Sequence, residues 1–120
     1  DGDAVRLQVS AREVMPGDRL ECTYEFVRGE PSSYVWLGWY KASRPAASNK
    51  YYTYTRVAAS ADGKVARKGT LTLTVPNKLG YCHVRAFNAN SYTAEVGRSD
   101  EVRVGPGASV QARVVAAADA

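Results

Sequence analysis

The feature that most constrains the fold of this chain is an alternation of apolar and polar residues in short runs that end at turn residues. In the clearest run, residues 19–27, the apolar side chains fall at every second position: Leu20, Cys22, Tyr24 and Phe26. Because successive side chains of a strand point to opposite faces of a sheet, this run predicts a strand with one buried and one solvated face. Similar runs recur with turn signals between them, a pattern typical of a β-sandwich or barrel.

Seven such runs predict an all-β fold, an immunoglobulin-like antiparallel β-sandwich of about seven strands within residues 1–104. The predicted strands are 5–9, 19–27, 34–41, 50–57, 69–75, 80–87 and 93–104. The run at 34–41 is almost continuously apolar, which predicts a central strand covered on both faces. We interpret residues 105–120 as a linker and tail that forms either an extra edge strand or the start of a helix or coiled coil.

Size and composition restrict the chain to one globular domain. Its 120 residues are 45% hydrophobic and 23% charged, unlike disordered or collagen-like chains. The longest apolar stretch, at 34–40, is far shorter than the roughly 20 residues that a membrane-spanning helix needs. The chain begins at Asp1 and not at a methionine, so we interpret it as part of a longer protein.

The residues that could perform chemistry are few. His83 is the single histidine and adjoins Cys82 in a predicted strand, so the two side chains point to opposite faces and cannot hold one metal ion. The same geometry prevents a catalytic cysteine–histidine pair. We therefore expect no metal, no cofactor and no catalytic residues, which means that the domain is not an enzyme. His83 and Arg85 are both expected on a wet sheet face.

Cys22 and Cys82 both fall on predicted inward faces. They have 59 residues between them, and Trp36 follows Cys22 by 14 positions, which is the spacing of the inter-sheet disulfide and buried tryptophan of immunoglobulin domains. Gly80, however, stands where those domains usually have a tyrosine. Two free buried thiols would suit a cytoplasmic protein, whereas a bridge would indicate an extracellular one. The reduced, cytoplasmic setting is the one we expect.

Five segments resemble, in order, the SKICH domain of autophagy receptors and of an inositol polyphosphate phosphatase. They are MPGDRLECTYEF at 15–26, WLGWYKA at 36–42, KYYTYTRV at 50–57, VPNKLGYCHVRAF at 75–87 and GRSDEVRV at 97–104. WLGWYK and GYCHVRAFNANSY are also similar to the DWIGLY and G-x-Y-x-x-R-x-F-x-N patterns of β-sandwich modules appended to larger proteins. Val35 departs from that pattern, which usually has an acidic residue before the tryptophan.

The SKICH resemblance implies a small immunoglobulin-like sandwich that targets and binds proteins without catalysis, often ahead of a coiled coil. It also implies structural roles for the residues that match the pattern, namely Trp36, Gly38, Tyr40 and Tyr51. With Cys22 and Cys82, the first three of these form the expected structural core.

Charge is concentrated in the middle of the chain. Residues 31–94 carry nine basic side chains against one acidic side chain, a net charge of +8. Gathered on one face, these cations would attract an acidic protein or an anionic membrane surface. We therefore predict a targeting module of an intracellular scaffold or adaptor protein, associated with the cytoskeleton or a membrane. Its expected partner-binding residues are Lys41, Arg44, Lys50, Tyr52, Tyr54, Lys64, Arg67, Lys68 and Tyr92.

Three alternatives remain open at the level of sequence. The first is a structural self-assembly domain of a cytoskeleton-associated scaffold that pairs through the edge strand at 93–104 or through a coiled coil of the parent protein. The second is an extracellular adhesion domain held by a Cys22–Cys82 bridge. The third is a carbohydrate-binding module that stacks sugars on Trp39 and the tyrosine cluster. Nucleic acid is the least favoured partner, since a pI near 9.2 permits it but no recognition motif is present.

Overall fold

The computed structural model describes residues 4–105, and these form two packed β-sheets. Their nine strands are β1 (Val5–Val9), β2 (Glu13–Val14), β3 (Arg19–Phe26), β4 (Trp36–Lys41), β5 (Thr53–Arg56), β6 (Lys68–Thr74), β7 (Gly80–Phe87), β8 (Glu95–Arg98) and β9 (Val102–Val104). The predicted all-β sandwich is confirmed. Within these residues there is no helix long and apolar enough to cross a membrane. The predicted tail at 105–120 lies outside the described residues except for Gly105.

The two sheets differ in size. The first contains three antiparallel strands in the order β1-β3-β6. The second has the order β2-β9-β7-β4-β5, and β8 pairs with the part of β7 that β9 leaves free. Its pairs are antiparallel except for β2 with β9, which run parallel. As predicted, the strand from the 34–41 run has neighbours on both sides, and residues 36–40 are buried.

The main core lies between the sheets and follows the alternation in the sequence. Leu20, Cys22, Tyr24 and Phe26 of β3 are all buried there, and the opposite face of β3 is solvated or half-buried. Trp39 belongs to the same core cluster as Cys22 and Cys82, whereas Trp36 belongs to a second cluster. Trp36 is buried, as expected of a structural core residue, but the tryptophan in the same cluster as the cysteines is Trp39. Alternation along β4 places residues 37 and 39 inward and residues 36, 38 and 40 outward.

The predicted number of strands is too low because two short strands were not recognised. The run predicted at 93–104 is interrupted at Ser99, whose backbone N–H donates to the Val84 carbonyl at 2.8 Å and whose hydroxyl accepts from the Val84 N–H at 3.0 Å. The chain bends there, so β8 and β9 pair with different parts of β7. β2 contains only two residues, too few for a periodic pattern.

The outer face of the second sheet carries a second, smaller cluster. The strand register places Trp36 beside Arg56 and Phe87, Gly38 beside Tyr54 and Arg85, and Tyr40 beside His83. Trp36, Tyr40 and Phe87 are buried on this face. A single sheet with an apolar outer face must be covered by loops, and these loops create the site described next.

Candidate binding site

A groove on the outer face of the second sheet concentrates exposed aromatic side chains. It encloses about 280 Å³ and is lined by Tyr34, Trp36, Tyr51, Tyr54, Arg56 and Asn90; we call it the aromatic groove. Trp36, Tyr54 and Arg56 come from β4 and β5, and the other three lining residues come from loops. Tyr34 and Tyr51 are each 40% exposed and Tyr54 is 53% exposed. Their rings are therefore accessible to a ligand.

The aromatic rings support one another through edge-to-face contacts. The Trp36 ring stacks on Phe87 with centroids 3.9 Å apart and planes 10° apart. The rings of Tyr51 and Tyr54 approach Trp36 at centroid distances of 5.7 and 5.9 Å, and they lie 5.4 Å from each other. Pairs in this geometry stabilise by about 0.5–1.5 kcal/mol each beyond the burial of area. Trp36 is thus the shared base on which both tyrosines rest.

Gly38 creates the space that brings these rings together. A Cβ atom at this position would lie 2.7 Å from Cε1 of Tyr40 and 2.9 Å from Cζ3 of Trp36. The rings of Tyr40 and Trp36 therefore both occupy the space that a side chain at position 38 would fill. The packing of Tyr40 and Trp36 therefore requires glycine at position 38, because any other residue would add a Cβ atom in this space.

Hydrogen bonds hold the loops at the Tyr34 and Asn90 side of the groove. The indole N–H of Trp36 donates to the Ala89 carbonyl at 2.9 Å. The Asn88 side chain accepts from the Ser32 N–H at 2.7 Å and donates to the Glu30 carbonyl at 3.0 Å. The loop before β4 and the turn after β7 are therefore tied to each other, and Trp36 ties the turn to the sheet.

A buried arginine anchors the loop between β4 and β5, which carries Tyr51. The Arg85 guanidinium donates to the carbonyls of Arg44 at 2.6 Å and Pro45 at 2.9 Å, and it lies 4.6 Å from the centroid of the Tyr40 ring. The Tyr40 hydroxyl donates to the Ser48 carbonyl at 2.8 Å. The loop is thus fixed at three backbone carbonyls.

The burial of Arg85 corrects the expectation that it lies on a wet face. Its side chain is fully covered because the loop from β4 folds back across this part of the sheet. Burial lowers the pKa of the Arg85 guanidinium, and the nearby charge of Arg98 lowers it further. Sequence alternation gives the face of a residue but not the loop that covers that face.

His83 is half-buried and not fully exposed to solvent as expected. Burial lowers its pKa, and the charges of Arg85 and Arg98 act in the same direction. Its Nδ1 atom is buried and has no hydrogen-bond partner among the described residues. In the part of the chain that the structure describes, no three histidine, cysteine or acidic residues come together as a potential metal site.

The predicted basic face does not form. Lys41 lies at the end of β4 where Trp39 pairs with Thr53, so Lys50 and the loop that contains Arg44 lie at that end as well. Lys64, Arg67 and Lys68 belong to the connection from β5 to β6, which leaves the sheet at the opposite end of β4, where Val57 pairs with Val35. The two groups of cations are therefore at opposite ends of the sandwich.

Two of these cations, Arg67 and Lys68, also lie next to acidic residues of the same molecule. Arg67 pairs with Glu30 at 2.8 Å and donates to the carbonyls of Gly29 and Phe26. Lys68 lies opposite Glu25 across the β3–β6 pair. Salt bridges at an exposed surface and cross-strand charge pairs reduce the field that these residues can offer a partner.

Only one of the predicted partner-binding tyrosines lines the groove. This residue is Tyr54, whereas Tyr52 is half-buried against the core with the Lys78 ammonium 5.8 Å from its ring. Tyr92 is exposed on the turn after β7 and does not line the groove. Trp39, proposed as a stacking platform, is only 2% exposed, so it cannot serve as one.

Sequence reasoning assigned Trp36 to the structural core and did not assign Tyr34, Arg56 or Asn90 to a site. The signal that could have indicated the groove is the common face of Trp36, Tyr54 and Arg56, which follows once β4 and β5 are paired in register. The contributions of Tyr34, Tyr51 and Asn90 depend on how loops fold, which the alternation pattern does not contain.

Arg56 is the charged member of the groove. Its guanidinium carbon lies 4.0 Å from the centroid of the Tyr34 ring, a cation–π contact. Tyr34 comes from the loop before β4 and Arg56 from the end of β5, and the register Trp36–Arg56 brings the two to the same end of the β4–β5 pair. The contact therefore places a cation at the rim of an aromatic surface.

Comparison with known proteins finds similarity to solved structures but not to protein families or curated proteins. No protein-family model matches the chain, and no curated protein matches it. Among solved structures, it is similar to the crystal structure of a chitin-binding domain from Burkholderia pseudomallei, with 11% sequence identity and a TM-score of 0.49. The match covers 80% of this chain and 57% of the other, so the chain spans little more than half the length of that protein.

These findings correct the SKICH resemblance and the function that it implied. No protein-family model matches the chain, and the cations that were expected to bind an acidic protein or membrane lie at opposite ends of the molecule. The predicted scaffold or adaptor module is therefore wrong. The run expected to form one edge strand at 93–104 is divided, because β9 lies between β7 and β2, whereas β8 pairs with β7 alone. The adhesion alternative required a bridge, but Cys22 and Cys82 are free.

Proposed function

We propose that residues 1–104 are a carbohydrate-binding module and that the aromatic groove is its binding site, acting without catalysis. The observation that carries this proposal is the cluster of Tyr34, Trp36, Tyr51 and Tyr54 around one open groove. Neither the core nor the sheet requires three tyrosines that are each at least 40% exposed. Clustered exposed aromatic surface is a typical mark of a binding site.

The chemistry of a sugar ring fits this surface. A pyranose ring presents an apolar face of C–H bonds and a rim of hydroxyl groups. Aromatic rings pack against such a face, and a few polar groups at the edge of the site orient the hydroxyls. Here Tyr51 and Tyr54 offer ring surface, while Arg56 and Asn90 supply polar groups at the same groove. The groove combines both requirements.

The groove is also held in place before any ligand arrives. Trp36 is stacked on Phe87, and its indole N–H is bonded to Ala89. Tyr51 contacts Trp36 and Tyr54, on a loop whose backbone is held by Tyr40 and Arg85. A rigid site loses little conformational entropy on binding, which favours affinity.

The test is calorimetric titration of the protein with neutral and acidic oligosaccharides, chitin oligomers included. We expect at least one to bind and Tyr51→Ala to weaken that binding about two- to tenfold, since a ring contact contributes about 0.5–1.5 kcal/mol. The matched control is Tyr81→Ala, which removes a tyrosine that is 56% exposed and does not line the groove. Absence of binding to every sugar, or equal losses in both variants, would contradict the proposal.

A further inference from the structure

We infer that the aromatic groove takes an acidic saccharide and that Arg56 pairs with the carboxylate of a uronic acid residue. This inference rests on the proposed function and specifies its ligand class. It starts from the charge of the groove. In the part of the chain that the structure describes, Arg56 is the only charged residue among the six that line the groove, and it is a cation.

The Arg56 guanidinium contacts an aromatic ring but makes no ion pair and donates no side-chain hydrogen bond among the described residues. Its guanidinium carbon lies over the Tyr34 ring, 4.0 Å from the ring centroid, and a cation–π contact of this kind does not use the N–H groups as hydrogen-bond donors to an acceptor atom. Among residues 4–105, no carboxylate pairs with Arg56 and none of the side-chain hydrogen bonds found there uses it as a donor. A planar guanidinium in this state matches a carboxylate, which accepts two parallel hydrogen bonds.

The carboxylates that could compensate Arg56 are engaged elsewhere. Arg56, Trp36, Phe87 and Glu95 form one row across the second sheet, so Glu95 is three strand spacings, about 14 Å, from Arg56. Glu95 is moreover bonded to Arg98 through both of its oxygens. Glu30, in the loop that carries Tyr34, pairs with Arg67. Arg56 therefore gives the groove an uncompensated positive charge.

The positions of the groups define how an acidic sugar would lie. Tyr51 and Tyr54 contact each other and Trp36 at the base of the groove, and this surface would receive the C–H face of a ring. Arg56 pairs with Trp36 in the strand register and is thus adjacent to that base. A carboxylate at the rim of the stacked ring reaches Arg56, while Asn90 offers an amide to hydroxyl groups.

The experiment compares matched saccharides on one glycan array and then measures the best pair by calorimetry. Each backbone is present in a neutral form, in a form with uronate, in a methyl-esterified uronate form and in a sulfated form. We expect uronate forms to bind about fivefold more tightly than their methyl esters, with a preference that declines as salt is raised. Arg56→Gln should remove this preference, so that the uronate forms bind no more tightly than their methyl esters.

Arg19→Gln is the matched control. It makes the same charge change at an exposed position on the first sheet, so it separates a local contact from the effect of net charge. The inference is supported if only Arg56→Gln loses the uronate preference. It is overturned if esters bind as well as acids, if both variants lose the preference equally, or if only sulfated forms gain from Arg56. Those three outcomes leave sugar binding intact, whereas no binding to any form would overturn the proposed function as well.

Discussion

At the scale of single residues, the site depends on small differences between neighbours in one strand. Trp36 and Trp39 are three residues apart on β4, yet the first supports the groove and the second fills the core. Gly38, between them, has no side chain, and both Trp36 and Tyr40 occupy the space above it. A glycine in a central strand normally weakens it, so its presence here indicates close packing from one side.

Adding one methyl group at Gly38 should disturb this packing. In Gly38→Ala the new Cβ would overlap the rings of Tyr40 and Trp36, which are already held by hydrogen bonds to loops. We expect the free energy of unfolding to fall by about 1–3 kcal/mol, the usual cost of overpacking. Urea denaturation measures this loss, and near-ultraviolet circular dichroism should show a changed tryptophan environment. Wild-type stability with an unchanged spectrum would contradict the packing argument.

At the scale of elements, the loop between β4 and β5 is the part of the site that depends on anchoring residues outside the groove. Arg85 and Tyr40 hold its backbone, and the loop in turn delivers Tyr51 to the groove. Arg85 does not line the groove. It is a positioning residue, and its effect on binding would be transmitted by the loop.

Removing the Arg85 guanidinium should therefore weaken sugar binding without removing a ligand contact. Arg85→Met keeps most of the volume but leaves the carbonyls of Arg44 and Pro45 without their donor. We expect affinity to fall several-fold and stability to fall by about 1–3 kcal/mol. Arg85→Lys restores the charge but not the two-carbonyl geometry, so it should rescue only part of the loss.

A spectroscopic readout separates positioning from general destabilisation. The ring protons of Tyr51 should shift in Arg85→Met, because the Tyr51 ring lies against Trp36 with centroids 5.7 Å apart. Tyr40→Phe removes only the hydrogen bond to Ser48 and should give a smaller shift of the same protons. Unchanged Tyr51 signals and unchanged affinity in Arg85→Met would contradict the positioning role.

Comparison of the elements with the sequence shows where the alternation pattern is informative. It predicted the buried face of β3 and the two covered faces of β4, because both follow from side-chain direction within one strand. It failed where burial depends on another segment. Arg85, for example, is buried by a distant loop. Half of the groove residues come from loops, which explains why the sequence did not reveal the site.

At the scale of the whole molecule, the core between the sheets links stability to pH. Burial raises the pKa of the Cys22 thiol from its ordinary value of 9.0 to about 12. The unfolded chain therefore loses this proton near pH 9, while the folded protein keeps it until about pH 12. Because the folded state binds the proton more tightly, its contribution is complete below pH 9 and is lost as pH rises towards 12.

Replacing Cys22 should reduce this alkaline loss. In wild-type protein the thiol contributes a decline of up to about 1.4 kcal/mol per pH unit above the ordinary pKa. Cys22→Val has a similar volume and no proton to release, so its stability should fall less between pH 9 and 11. Urea denaturation at fixed pH values measures both curves. Parallel curves for the two proteins would contradict a protonated, buried thiol at Cys22.

The separate anchoring of the groove loops has a consequence for protein engineering. Trp36, Asn88, Tyr40 and Arg85 hold the loops from beneath, whereas Tyr34, Tyr51, Tyr54 and Asn90 face the groove opening. The residues that fold the site and those that would meet a ligand are thus largely different. A combinatorial library that varies the second group and keeps the first would sample new recognition surfaces on an unchanged frame.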